Sequence, residues 1–295
     1  PENLLLNYDK WTVNPDNFIQ YGPQGILANN FSLSQGSQLL RLESASSTAG
    51  APLNVTLKDF NLETLTSFAD TDSALVGGII NGEAQLRDIQ TELKFDANLV
   101  VNKLRFQKDE LGTLRLDANN ASTDAIEINA ALTGVHELRV NGFYYTKDGG
   151  SLDLNLNLDK LDLESVESIS GGQIRDGSGA ISANLSAKGP LTAPKILGNL
   201  NFKDAGFNVK YVNSYFRIPQ ETINFTDQGI RFNSFTLIDS LDKTARIDGM
   251  IYTKNYQDFS FDLDLRTNNF RALNSTEKDN ELIYGTVYLS TNLQI

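Results

Sequence analysis

The 295-residue sequence contains no cysteine, which excludes a disulfide framework, a thiol nucleophile and any cysteine-based metal site. Its single histidine, His136, leaves no second imidazole for a two-histidine metal site or for catalysis by paired imidazoles. Most enzyme classes are disfavoured by these two absences. Basic residues are scarce, 25 against 37 acidic ones, and the resulting formal net charge of −12 repels phosphate backbones. Nucleic acid is not an expected partner. Long apolar runs are missing too: the longest, Ala74 to Ile80, falls far short of the roughly 20 residues that cross a membrane as a helix. The chain opens on Pro1 with no signal-peptide pattern, and it is expected to be a segment of a longer protein.

What is present is a folded chain with 40% hydrophobic and 21% charged residues, long enough to bury a core without staples. Its dominant signal is alternation, which places successive side chains on opposite faces of a strand. Leu152, Leu154, Leu156 and Leu158 alternate with Asp153, Asn155 and Asn157, and Phe259, Phe261, Leu263 and Leu265 with Ser260, Asp262 and Asp264. Similar runs occupy 93–99, 114–118, 126–132, 138–144, 181–185 and 245–251. Turn signals separate them at 108–112, 119–122, 147–150 and 227–229. The pattern predicts an all-β antiparallel meander of about 18 strands.

Internal repeats are legible. Gln24 to Leu33 matches Gln228 to Leu237, and the same offset aligns Pro15 with Pro219 and Ile19 with Ile223. A second pair aligns Leu57, Phe60 and Leu62 to Leu65 with Leu158, Leu161 and Leu163 to Val166, then Gly78 and Ile80 with Gly179 and Ile181. Thr267 to Leu273, followed by Gly285 and Val287, is a weaker third copy. The apolar spacings Leu62, Leu65, Phe68 and Leu163, Val166, Ile169 predict short helical turns, capped by Asn61 and Asp162, at module joints near 57–70, 158–170 and 267–285.

Residues that carry chemistry elsewhere are unconvincing here. His136 sits at a turn or strand start, where a solvated or structural role is expected. The aspartates of 153–162 and Asp262 with Asp264 fall on the polar side of alternating strands. Asp70-Thr71-Asp72 lacks the glycine and distal glutamate of a calcium loop, and 171–177 is only distantly like a calcium-binding nonapeptide. Neither catalysis, a cofactor nor a metal is expected. A sheet with one continuous aliphatic face must either cover that face with a second sheet or fold into a greasy groove. The candidate lining of such a groove is Leu93, Phe95, Leu114, Leu116, Ile126, Ile128, Leu138, Val140, Leu152, Leu154, Leu156, Ile181, Leu185, Phe261, Leu263 and Leu265, with core packing as the plainer role for each.

Three stretches carry a resemblance: Trp11 to Ile19 with the Gly25-Ile26 hairpin; Leu185 to Leu200, a strand ending in Lys188-Gly189 followed by a Pro-containing link; and Asn269 to Gly285, the most specific of the three. Together they make the chain similar to the TamB and AsmA-like family of bacterial envelope proteins, specifically the C-terminal TamB domain as it occurs in Bacteroidota. The resemblance spans most of the chain. It implies one continuous, repeat-built sheet curved into a U-shaped groove, anchorage of the full-length protein in the inner membrane, and a reach across the periplasm to an Omp85-type outer-membrane barrel. It also implies two alternative roles: moving phospholipids between the membranes with their acyl chains in the groove, or assisting the assembly of outer-membrane β-barrel proteins.

Overall fold

The computed structural model describes residues 3–6, 9–66, 75–122 and 124–295. It is an all-β structure of 21 strands among the described residues, 19 of them in one antiparallel sheet. The first strands are β1 (Asn3–Leu6), β2 (Asp9–Val13), β3 (Phe18–Gly22), β4 (Gly25–Asn29), β5 (Phe31–Gln35) and β6 (Gln38–Ser44). Longer strands follow: β7 (Leu53–Asn61), β8 (Val76–Arg87), β9 (Lys94–Phe106), β10 (Asp109–Ser122), β11 (Ala125–Thr133) and β12 (Glu137–Tyr145). The remainder are β13 (Ser151–Asp162), β14 (Ile174–Pro190), β15 (Lys195–Val209), β16 (Ser214–Ile218), β17 (Thr222–Thr226), β18 (Gly229–Asp239), β19 (Thr244–Tyr252), β20 (Ser260–Ser275) and β21 (Gly285–Gln294). The hairpin β3–β4 stands apart as its own two-stranded sheet. Contacts divide the chain into two compact units, Pro1–Gly134 with Val140–Asp148 and Val135–Arg139 with Gly149–Ile295.

Long strands bend where one extra residue slips into the ladder, because a bulge adds local twist and redirects the chain. In the first unit the register shifts between Leu57 and Phe60 of β7 and between Gly77 and Ile79 of β8, and β9 carries Lys103 at φ 51°. In the second unit shifts fall between Leu158 and Leu161, Arg175 and Ala180, Phe232 and Phe235, and Thr267 and Phe270. The pivots Asp59, Asp204, Ser234 and Asn269 are all left-handed, a conformation that Asp and Asn tolerate better than most residues. Between β16 and β17 the same bend is made by Pro219, which cannot donate to a ladder.

The cores sit at these bends. Trp11, Val13, Leu33, Phe60, Ile80 and Val101 form the core of the first unit, with the Trp11 and Phe60 rings 5.4 Å apart. In the second unit Leu163, Ala205, Ile218 and Phe235 are buried against Ile181, Phe202, Ile223 and Phe232, and a further cluster stacks Phe216 on Phe270. His136 belongs to the second unit and is 2% exposed, so of its two expected roles it takes the structural one.

Several local expectations are corrected. Asn119 to Ser122 is the bulged end of β10, not a turn, and at 108–112 the turn is confined to Gln107-Lys108. Helical turns form at Leu62–Thr66 (α1) and, after a 3-10 turn Leu163–Ser165, at Val166–Ile169 (α2). Phe68, Asp70, Thr71 and Asp72 lie outside the described residues. Asp162 occupies the cap position before Leu163 but makes no side-chain cap bond; its carboxylate pairs with Lys160 at 2.8 Å. The third copy, 267–273, has no helical turn, and β20 runs through it.

Candidate functional site: the apolar face of the sheet

Antiparallel register places directly opposed side chains on one face, so the ladders decide which expected lining residues meet. In the first unit one row runs Leu33, Leu40, Leu57, Gly82, Leu99, Leu116, Ala130 across β5 to β11. Its neighbour runs Leu42, Val55, Ala84, Ala97, Ala118, Ile128, and a shorter row joins Leu53, Leu86 and Phe95. Leu114 lies in the row Phe60, Ile80, Val101, Leu114, Leu132, which closes onto the core. Ile126 is half-buried two residues from Ile128, on the same face of β11.

The second unit repeats the arrangement. One row is Leu158, Ala183, Leu200, Ile223, Phe232, Gly249, Leu263, and the next is Leu156, Leu185, Gly198, Phe225, Ile230, Ile251, Phe261. Leu154 continues through Ala187 to Ile196, Leu152 faces Gly189, Leu161 joins Ile181 and Phe202, and Leu265 sits between Ile247 and Leu293. In β12, Leu138 of the second unit and Val140 of the first are half-buried between exposed Glu137, Arg139 and Asn141. The sheet therefore brings most candidates into shared rows within their own unit. Leu93 lies outside any strand and is 46% exposed.

None of the sixteen candidates belongs to the fully buried core. Leu93 and Phe261 are exposed and the others are half-buried, whereas rows at the bends are closed. Sequence reasoning missed the glycines inside the rows. Gly82, Gly198 and Gly249 have φ of 142°, 127° and 120°, and a Cβ at any of them would come within 2.1 Å of a carbonyl oxygen on the adjacent strand. A glycine interrupting strict alternation was the signal that could have found them.

The opposite face is polar and laddered in the same way. Arg41, Thr56, Glu83, Asn98 and Asp117 form one row and Glu43, Asn54, Gln85, Asp96 and Asn119 the next. Between these rows lies a shallow cavity of about 670 Å³. Its side chains satisfy one another: Gln85 donates to Asn54 at 3.0 Å, Arg87 pairs with Asp96 at 2.5 Å, and Asn98 donates to Asp117. A second cavity of about 510 Å³ sits at strand ends of the second unit, among Asp227, Tyr252, Lys254 and Phe259.

Among the described residues, the one fully buried carboxylate with a resolved shift is structural. Asp239 ends β18, where burial pushes its pKa up but three backbone N–H donors, from Arg271 (2.5 Å), Lys243 (2.9 Å) and Leu241 (2.7 Å), outweigh it and hold it below the usual carboxylate value. It stitches the β18–β19 turn to β20. Among the described residues no group of three or more acidic or histidine side chains is arranged to hold a metal ion.

Comparison with known proteins gives no match: no family model, no curated protein and no solved structure is similar to the chain.

Proposed function

We propose that the chain is a non-enzymatic carrier surface for alkyl chains, serving as part of a periplasmic bridge that moves phospholipids between inner and outer membrane. The observation that carries this reading is the continuation of the aliphatic rows past the closed cores. From Leu156 to Phe261, and from Leu42 to Ile128, side chains of Leu, Val, Ile, Ala and Phe stay half-open with no polar partner among them. Such a face offers no hydrogen bond and suits a ligand that asks for none. Exposing an acyl chain of sixteen carbons to water costs on the order of 12 kcal/mol at ~0.8 kcal/mol per methylene, so a continuous apolar path lowers the barrier to transfer without chemistry. The envelope location, the curvature into a groove and the Omp85-type partner rest on the family resemblance.

Native mass spectrometry of the purified chain is expected to find co-purified phospholipid. Photocrosslinking to lipid is expected to fall at least tenfold in Leu154→Asp and Leu263→Asp and to persist in Asn155→Lys, whose site faces water, on the order expected for a charge forced into an apolar contact. Thermal melting of each variant separates lost binding from lost folding. Equal loss at both faces overturns the reading.

A second reading, a module assisting barrel assembly, is favoured by one feature. The ten residues of β21, Gly285 to Gln294, carry neither charge nor proline. A strand without those guards can pair with an incoming one.

A further inference from the structure

The polar face of the first unit carries features that a solvated strand surface does not need. Its central row crosses β6 to β11 with one side chain per strand: Arg41, Thr56, Glu83, Asn98, Asp117 and Asn129. The cavity of about 670 Å³ lies over this row, and its size falls within the roughly 300–1,000 Å³ of sites that hold small ligands. Ala84, Ala97 and Ala118, which belong to the opposite face, line it as well, so backbone forms part of its floor. Four carboxylates but only one basic side chain line the cavity, and that one, Arg41, is already paired with Glu43 at 3.4 Å. The bonds among its walls leave out Glu83, which is exposed and makes no hydrogen bond or ion pair among the described residues.

The same face ends on an aromatic step. Glu127 of β11 continues the polar surface, accepting from Asn119 at 3.2 Å and from Asn129 at 3.5 Å. The end of β12 is tied to the start of β11: the Thr146 N–H donates to the Asp124 carbonyl at 2.9 Å, and Lys147 pairs with the Asp124 carboxylate at 2.5 Å. Alternation counted from that bond puts Phe143 and Tyr145 on the polar face with Glu127, and Tyr144 on the aliphatic face. The Phe143 and Tyr145 rings lie 6.2 Å apart, inclined by 27°, and are 40% and 39% exposed. Two stacked rings on the water-facing side of a strand are not needed by the core, and they stand beside a row of hydrogen-bonding groups.

We propose that this face is a binding track for an uncharged, straight, β-linked glycan lying across the strands. Such a chain advances by about one strand spacing, ~4.8 Å, per sugar, so successive rings meet successive side chains of the row. Sugar hydroxyl and acetamido groups both donate and accept, which suits a row that mixes amides with carboxylates and leaves Glu83 free to accept. The flat C–H face of a sugar ring lies on Phe143 or Tyr145, removing apolar surface of both partners from water. Four carboxylates against one paired guanidinium select against a polyanionic sugar. The track uses the face turned away from the aliphatic rows and is independent of the lipid reading.

The test titrates the intact chain, in physiological salt, with cellohexaose and with the hexamer of N-acetylglucosamine, and follows binding by calorimetry. Saturable binding of at least one of them is expected. It should weaken about tenfold or more in the double variant Phe143→Ala with Tyr145→Ala and in Glu83→Ala, the loss expected for an aromatic contact or a hydrogen bond to a charged group. All three side chains are exposed, so the melting of both variants should match that of the wild type. The β-linked mannuronate hexamer, of similar shape but anionic, should bind at least tenfold more weakly than the uncharged hexamers, on the order expected for like charges brought together. No saturable binding of either uncharged hexamer, unchanged affinity in either variant, or tighter binding of the mannuronate hexamer or of hexalysine overturns the proposal.

Discussion

A single carboxylate shows how polar residues are used in this chain. Asp239 has no solvent exposure, and its two oxygens accept three backbone N–H bonds that a methyl group at this position would leave buried and unmade. Asp239→Ala is therefore expected to cost about 3 kcal/mol at neutral pH, read by urea unfolding. The folded pKa lies below its unfolded value, so the contribution is complete above about pH 4 and fades as pH falls through the lower folded value. The gap between wild type and variant should be constant from pH 7 to about pH 4.5 and narrow below that. Glycine supplies the opposite case. Gly198→Ala sets a Cβ 2.0 Å from the Asn184 carbonyl at φ 127°, and a loss of about 3 kcal/mol is expected. Gly149→Ala, at φ 83° with nothing within 4 Å, should lose about 1 kcal/mol. Comparable melting of the two variants would mean that the crowding at Gly198 relaxes freely.

At the scale of elements, bends in long strands create the cores. Phe235 follows the bulge of β18, is 4% exposed, and meets Phe202 and Phe232 edge-on at 5.7 and 5.5 Å. Phe235→Ala is expected to destabilise the chain by about 4 kcal/mol in denaturant unfolding, while Phe225→Ala, in an open row, should cost less than half of that. Strands were legible because period two has no competing explanation over eight residues, as in Ser151 to Leu158. Bulges were not, because they change the apolar spacing from two to three: Leu57 to Phe60, Leu158 to Leu161 and Phe232 to Phe235. A spacing of three over a short window is also the signature of a helical turn. At Leu62 that reading held; at Thr267 to Leu273 the same spacing belonged to a bulged strand whose Arg271 N–H is taken by Asp239. Local pattern does not separate the two, since the deciding partner lies 32 residues away. The candidate face was legible through the same alternation, but its division into closed rows and open rows depends on which strands bend over it, and that is set by contacts remote in sequence.

For the molecule as a whole, the two functional readings place their demands on different atoms. A lipid path fails at its narrowest interruption, so a carboxylate at Leu116, opposite Leu99 and Ala130 within one apolar row, should stop transfer by forcing alkyl chains past an unpaired charge that costs several kcal/mol. A barrel-assembly module relies on backbone at an edge. It should be indifferent to Leu116→Asp and sensitive to Asn292→Pro, which removes from β21 a donor that faces away from β20 and so obstructs an incoming strand. Leu116 is half-buried and lies outside the fully buried core, so the aspartate variant is expected to retain the sheet by circular dichroism while losing stability. Both substitutions belong in the full-length protein in cells, with phospholipid traffic and barrel-protein levels measured in parallel. Blocked lipid traffic in Leu116→Asp with normal barrel levels is the expected outcome; a folded Leu116→Asp protein with undiminished traffic, beside an Asn292→Pro protein with depleted barrels, would replace the lipid path with the assembly role.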